Sequence, residues 1–212
     1  MAANWTLYGY WMSGPTYKAA LALSLAGEAF DFVHTTPRGD AKLPAYISNI
    51  NGFGQVPALT DKRSGQTYRQ AASILEVIAD TTGKLGGKTA LERVRMREWM
   101  YWDYDRLALP IYRMRGQRIG VRVMGQSVAE LLFAEGNVAL KVLDDHLAGR
   151  DWMVCDAVSI ADVDIYGVLD YAAAGGFTMS DFPAVGAFMT RVQALPGFGF
   201  PAGLIPKASW VV

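Results

Sequence analysis

Every segment of this chain with strand character lies before residue 70, and from Ala90 onward apolar residues recur at helical spacing alone. Thr6–Trp11 reads as a short aromatic strand, followed by a break at Ser13-Gly14-Pro15-Thr16. Tyr17–Leu25 is a strong helix former closed by Gly27, and Ala29–Thr35 alternates as a second strand. Arg38–Asn51 is polar with room for a short helix, and Val56–Thr60 and Thr67–Arg69 are brief strands. Gln70–Ala79 is helical, with Ile74, Leu75 and Ile78 on one face. The order β-α-β-α-β-β-α describes a small α/β unit. Beyond it, Leu91–Arg115 is helical with a break or kink expected at Pro110, and Ser127–Leu147 is amphipathic. Ser159–Gly175 is apolar nearly all round and should be buried, and Pro183–Leu195 is a last helix. The expected division is an α/β domain over 1–80, a linker over 81–89 and an all-helical domain over 90–212.

Composition excludes several alternatives. A chain of 212 residues with 51% apolar content buries about 70% of its unfolded surface and needs no disulfide or metal staple. Twenty basic residues balance 20 acidic ones, which leaves no basic surplus for a nucleic-acid partner. The apolar runs fall short of the ~20 residues that span a bilayer, so no membrane association is expected. The amino terminus lacks the basic and apolar regions of a secretory signal. Cys155 is the single cysteine, flanked by Trp152, Met153, Val154 and Val158, and reads as a buried structural thiol. His34 and His146 are far apart and no metal-ligand spacing is present, so no metal site is expected. These features together suggest a cytoplasmic protein.

Three places could carry chemistry. Segment 7–18, LYGYWMSGPTYK, puts hydroxyls between a strand and a helix amino terminus, where a serine or threonine caps the helix or stabilises an anion. Ser13 is the stronger candidate and Thr16 the weaker; Tyr8 and Tyr10 stand at the strand end. Gln55-Val56-Pro57 closes a loop before an apolar run, where a cis proline would expose the backbone of Val56 to an extended ligand. Ser159 and Asp162 form an S-x-x-D capping box, a structural device.

Taken in order, four segments resemble the glutathione S-transferase family over nearly the whole chain. LYGYWMSGPTYK is similar to its serine-type pattern, NGFGQVPAL (Asn51–Leu59) to its cis-proline stretch, RQAASILEVIA (Arg69–Ala79) to its [EQ]-S-x-A-I stretch, and VSIADVDIYG (Val158–Gly167) to its buried capping-box helix. The resemblance implies a thioredoxin-like domain followed by a helical-bundle domain, a homodimer, and glutathione as co-substrate in the cleft between the domains. It implies that Ser13 bonds the glutathione sulfur. Val56 and Pro57 would meet the cysteinyl part, Gln70 and Ala71 the γ-glutamyl part, with Gln55 and Lys42 as further contacts. Ala71 departs from the pattern, because the family usually carries serine there.

The long helix after the linker crowds Trp99, Tyr101, Trp102, Tyr104 and Tyr112 together. Tyr101 and Tyr104 are spaced to share a helix face and, with Tyr10, are candidates for an aromatic wall around an apolar acceptor. The activity implied is conjugation of the glutathione thiolate to a small apolar electrophile, a detoxification reaction. The alternatives are a glutathione-dependent isomerase, dehalogenase or ether-cleaving enzyme, and a catalytically silent binding protein of the same fold.

Overall fold

The computed structural model describes residues 3–207. They form two compact units, one of residues up to 85 together with the segment from 195, the other of residues 86–194.

The first unit is built on strands β1 (Trp5–Gly9), β2 (Phe30–His34), β3 (Ala58–Asp61) and β4 (Thr67–Arg69), in the spatial order β2-β1-β3-β4. β1 pairs in parallel with β2, Leu7 opposite Phe32, and antiparallel with β3, Leu7 opposite Leu59. The parallel pair requires a crossover, supplied by helix α1 (Gly14–Leu25). Helix α2 (Pro44–Asn49) precedes β3, and α3 (Ala71–Thr82) follows β4 directly. The alternation of β1 sends Trp5 and Leu7 into the core, where α1 and α3 meet them with Leu21, Leu23, Ile74, Leu75 and Ile78. Full burial of each such side chain contributes about 1.5–3 kcal/mol.

α1 is buried on nearly every face, through Tyr17, Lys18, Ala19, Ala20, Leu21, Ala22 and Leu23. The segment from 195 belongs to this unit rather than to the helices that precede it. Ser24 Oγ donates to the Gly197 carbonyl at 2.5 Å, and the Tyr17 hydroxyl to that of Gly199 at 3.0 Å. Helix α10 (Pro201–Leu204) packs against α1.

The second unit comprises α4 (Ala90–Trp102), α5 (Ala108–Arg118), α6 (Gln126–Leu147), α7 (Ile160–Leu169), α8 (Ala172–Gly175) and α9 (Pro183–Gln193). Asp103–Leu107 form a π-helical turn between α4 and α5. The interruption is this π turn, in a backbone that stays helical from α4 into α5. Pro110, three residues on, has no N–H for the Arg106 carbonyl four positions before it, which lies within the turn. Every residue of α7 is buried, and α4, α5 and α9 pack around it. Its start is the Ser159–Asp162 capping box, with Asp162 fully buried and accepting from the amides of Ser159 and Met153 at 2.8 Å each. Asp144 of α6 caps another helix, accepting from the Ala184 and Val185 amides of α9 at 2.7 and 3.1 Å. No helix of the described residues is long and apolar enough to cross a membrane.

Candidate functional site

β1 runs out, β3 runs in and β4 runs out at one edge of the sheet, since Tyr8 faces Ala58 and Ala58 faces Arg69. That edge collects the turn before α1, the loop before β3 and the amino terminus of α3.

Ser13 is the N-cap of α1, with extended backbone and a half-buried side chain. Its Oγ accepts from the Thr16 amide at 3.2 Å, and its own amide donates to the Tyr10 carbonyl at 2.9 Å. The hydroxyl proton stays available for donation. Thr16, the other hydroxyl considered, is fully buried with Oγ1 accepting from the Tyr10 amide at 3.3 Å, which removes it as a ligand-facing group. Gly9 permits this inward turn of Thr16: a Cβ at Gly9 would lie 2.2 Å from the threonine methyl. Tyr10 is half-buried, its ring 5.9 Å from Trp11 and 5.5 Å from His34, with its hydroxyl donating to the Met12 sulfur. Tyr8 packs edge-on against Tyr46.

The Val56–Pro57 bond is cis. Pro57 is buried and leads into β3, while Val56 is half-buried, with no backbone hydrogen bond among the described residues. The loop before it is held by two residues whose roles the motif alone did not reveal. The Asn51 amide group and the Tyr46 hydroxyl both donate to the Gln55 carbonyl at 2.9 Å. Burial pushes the Tyr46 phenol up to about 12, so it remains a donor. Buried Asn51 also accepts from the Phe53 amide at 3.0 Å, closing the turn. Lys42 is exposed, and its ammonium donates to the Gly54 carbonyl at 2.6 Å, in a turn where Gly54 takes a φ of +59°.

Gln70 joins this loop across the edge, its side-chain nitrogen donating to Gln55 Oε1 at 3.1 Å. It precedes α3 with a φ of +66°, uncommon for a residue with a Cβ, and supplies no side-chain cap. The amides of Ala71, Ala72 and Ser73 therefore point out of the helix without intrahelical partners, a ready site for a carboxylate. Ala71 itself is buried and can offer a ligand its N–H alone. Ser13, Gln55, Val56, Gln70 and Ala71 thus stand on one edge.

Tyr101 and Tyr104 belong to the second unit and are both exposed. The π turn begins between them, so the regular α-helical spacing that would align their side chains does not apply. Cys155 is half-buried rather than enclosed. Its thiol is held above the ordinary range, first by burial and then by Glu92, Asp162 and Asp156, which makes it a poor nucleophile. The described residues include no cluster of side chains able to hold a metal ion.

Residues 107–196 match the family of the glutathione S-transferase C-terminal domain. The match supports the glutathione S-transferase family for this chain. The chain is 28% identical over 163 residues to a glutathione S-transferase of Xanthomonas campestris, covering 72% of this chain and 76% of that one. It is 27% identical over 188 residues to a maleylacetoacetate isomerase of Rhizobium meliloti, covering 87% and 78%. Among solved structures, a glutathione S-transferase of Xanthobacter autotrophicus superposes with a TM-score of 0.85 at 29% identity, over 96% of this chain and 97% of that one. The glutathione S-transferase fold accounts for both units, a thioredoxin-like sheet with its helices and a helical domain.

Proposed function

We propose that the edge of the first unit binds glutathione and that Ser13 stabilises its thiolate for attack on a small apolar electrophile. The observation that carries this reading is the Ser13 hydroxyl, whose oxygen is engaged by the Thr16 amide while its proton is free to be donated. A donated hydrogen bond and the positive end of α1 both favour thiolate over thiol, and the thiolate is the nucleophile. With an aryl halide, a sulfur–carbon bond forms as the carbon–halogen bond breaks, and the halide leaves with the bonding pair. The Val56 N–H and C=O suit the cysteinyl part in strand fashion. The open amides of α3 suit the γ-glutamyl carboxylate, with Gln70, Gln55 and Lys42 as neighbouring polar groups. Tyr10 offers aromatic surface to the acceptor.

Turnover of glutathione with 1-chloro-2,4-dinitrobenzene tests the reading. Ser13→Ala should lower kcat/KM by tenfold to several hundredfold, somewhat less than the ~10²–10³ of a fully enclosed oxyanion donor. An unchanged rate assigns Ser13 to capping alone. Exchanging Tyr101 or Tyr104 for Ala and following the acceptor's KM tests the second unit's share.

A second reading, glutathione-dependent isomerisation, is supported by the isomerase relative. It predicts glutathione binding, no release of halide, and cis–trans conversion of an unsaturated diketo acid. A silent binding protein, which the alanine at position 71 favours, would bind glutathione and turn over neither substrate. We also infer a cytoplasmic homodimer, supported by exposed Leu91, Val94, Leu131 and Val138. Sedimentation at micromolar concentration should give twice 23.1 kDa, and the single-chain mass would count against it.

A further inference from the structure

We propose that the turn leaving α5 docks on the surface of a lipid bilayer rich in anionic phospholipids. Arg113, Arg115, Arg118 and Arg122 fall within ten residues, and no acidic residue lies between Arg106 and Glu130. A chain whose charges balance overall thus concentrates positive charge at the end of one helix. Arg115 is taken up by the fold, its guanidinium 4.1 Å from the centre of the Tyr171 ring. Arg113, Arg118 and Arg122 are exposed and make no ion pair among the described residues.

The apolar residues of the same turn are exposed as well. Ile119 and Val121 are 41% and 47% exposed, and Val123 is 96% exposed. The turn nevertheless has a defined shape. Gly120 takes a φ of +75°, and the Val121 and Arg122 amides both donate to the Gly116 carbonyl at 3.0 Å. These bonds fold the chain back over the last turn of α5. The Val121 and Arg122 side chains rest beside Gly116, 3.6 and 3.4 Å from where a Cβ would stand. Arg113 lies one helical turn before Gly116 on the same face. Arg113, Val121 and Arg122 therefore meet on one side, and Val123 projects past them.

This arrangement selects a bilayer over an acidic protein segment. A bound segment needs walls on either side of it, and Val123 has almost nothing of the protein beside it. An apolar tip of this kind enters its partner instead of receiving it. The flanking arginines suit the same partner, since their apolar stems can follow the tip while the guanidiniums stay among the headgroups and bind phosphate in bidentate fashion. A few inserted apolar side chains and a short basic patch are each marginal alone, and together they give a reversible surface contact. The short apolar runs exclude a span, and a surface contact requires none. The turn lies within 86–194, so the proposal is independent of the glutathione reading of the first unit.

Co-sedimentation of the full-length protein with vesicles tests the proposal, at roughly 0.1 M salt, where the Debye length is about 10 Å. Vesicles of equal parts phosphatidylglycerol and phosphatidylcholine are compared with vesicles of phosphatidylcholine alone. Partitioning onto the anionic vesicles should be at least tenfold stronger, and at least tenfold weaker again in the double variant Arg113→Gln/Arg122→Gln. Val123→Ser, which leaves the charge unchanged, should weaken it threefold or more. Soluble polyglutamate at the same concentration of negative charge should leave the protein on the vesicles. Equal partitioning onto neutral vesicles, an unaltered partition in the double variant or in Val123→Ser, or no sedimentation with either vesicle would each overturn the proposal. Displacement by polyglutamate would also overturn it, and would assign the turn to an acidic protein segment. Ser13→Ala should partition as wild type does, so failure of the glutathione reading would leave this one standing.

Discussion

The Ser13 hydroxyl oxygen accepts the Thr16 amide proton at 3.2 Å, which leaves the serine with one proton to give. A capping serine and a thiolate-stabilising serine are often treated as competing explanations. Here one atom can do both, since the cap uses the lone pair and the ligand would use the hydrogen.

Stability separates the two roles. Ser13→Ala should cost about 0.5–2 kcal/mol through loss of the cap, while Ser13→Gly should cost only a few tenths more than wild type through that route. Both variants remove the donor, so both should lose turnover equally. Urea unfolding read beside kcat/KM checks this. Turnover that follows stability across the two variants would reduce Ser13 to a structural residue.

The alanine at the start of α3 should weaken glutathione. A serine there could add a charge-assisted bond of about 1.5–3 kcal/mol to a carboxylate seated on the free amides of Ala71–Ser73. Ala71→Ser should therefore tighten binding roughly tenfold or more, with no change in the pKa of the bound thiol. Calorimetry on the two proteins is the measurement. Equal affinities would mean that the three amides already saturate the carboxylate.

Asp162 gives the fold a pH signature. Burial pushes its carboxyl from 3.8 up to about 6 against the opposing bonds from Met153 and Ser159. The folded state then holds this proton more tightly than the unfolded chain, so the contribution is greatest at low pH and is lost as pH rises from about 4 to about 6. The loss is at most about 3 kcal/mol. Asp162→Asn cannot titrate. Unfolding free energies at pH 4, 5, 6 and 7 should show wild type losing ground to this variant as pH rises. A difference that is flat or grows in wild type's favour would show that the bonds from Met153 and Ser159 hold Asp162 as a carboxylate throughout.

Much of this architecture was legible in the residues. The alternation around Trp5 and Leu7, the helix from Tyr17 and the capping box at Ser159 are local patterns, and local physics forms them. The interruption between α4 and α5 lies at Asp103–Leu107, just ahead of the proline that signals it, since proline withdraws the N–H owed to a carbonyl four residues earlier. The segment from 195 was assigned to the helical domain, and its bonds from Tyr17 and Ser24 span more than 170 positions, out of reach of any periodicity. In the candidate site, motifs pointed to Ser13, Gln55, Val56 and Gln70 as the residues to propose. Tyr46 lies outside every motif, and Asn51 opens one without its role being visible there, since what the two do is meet at one carbonyl of Gln55. The left-handed backbone of Gln70 was equally hidden, because the residue that adopts it is not glycine.

The central claim is that Ser13 lowers the pKa of bound glutathione. Difference absorbance of the thiolate, followed against pH with glutathione bound to wild type and to Ser13→Ala, measures it directly. The account predicts a thiol pKa below that of free glutathione in wild type and a return of one unit or more, about 1.4 kcal/mol, toward the free value in the variant. Superimposable titrations would contradict it.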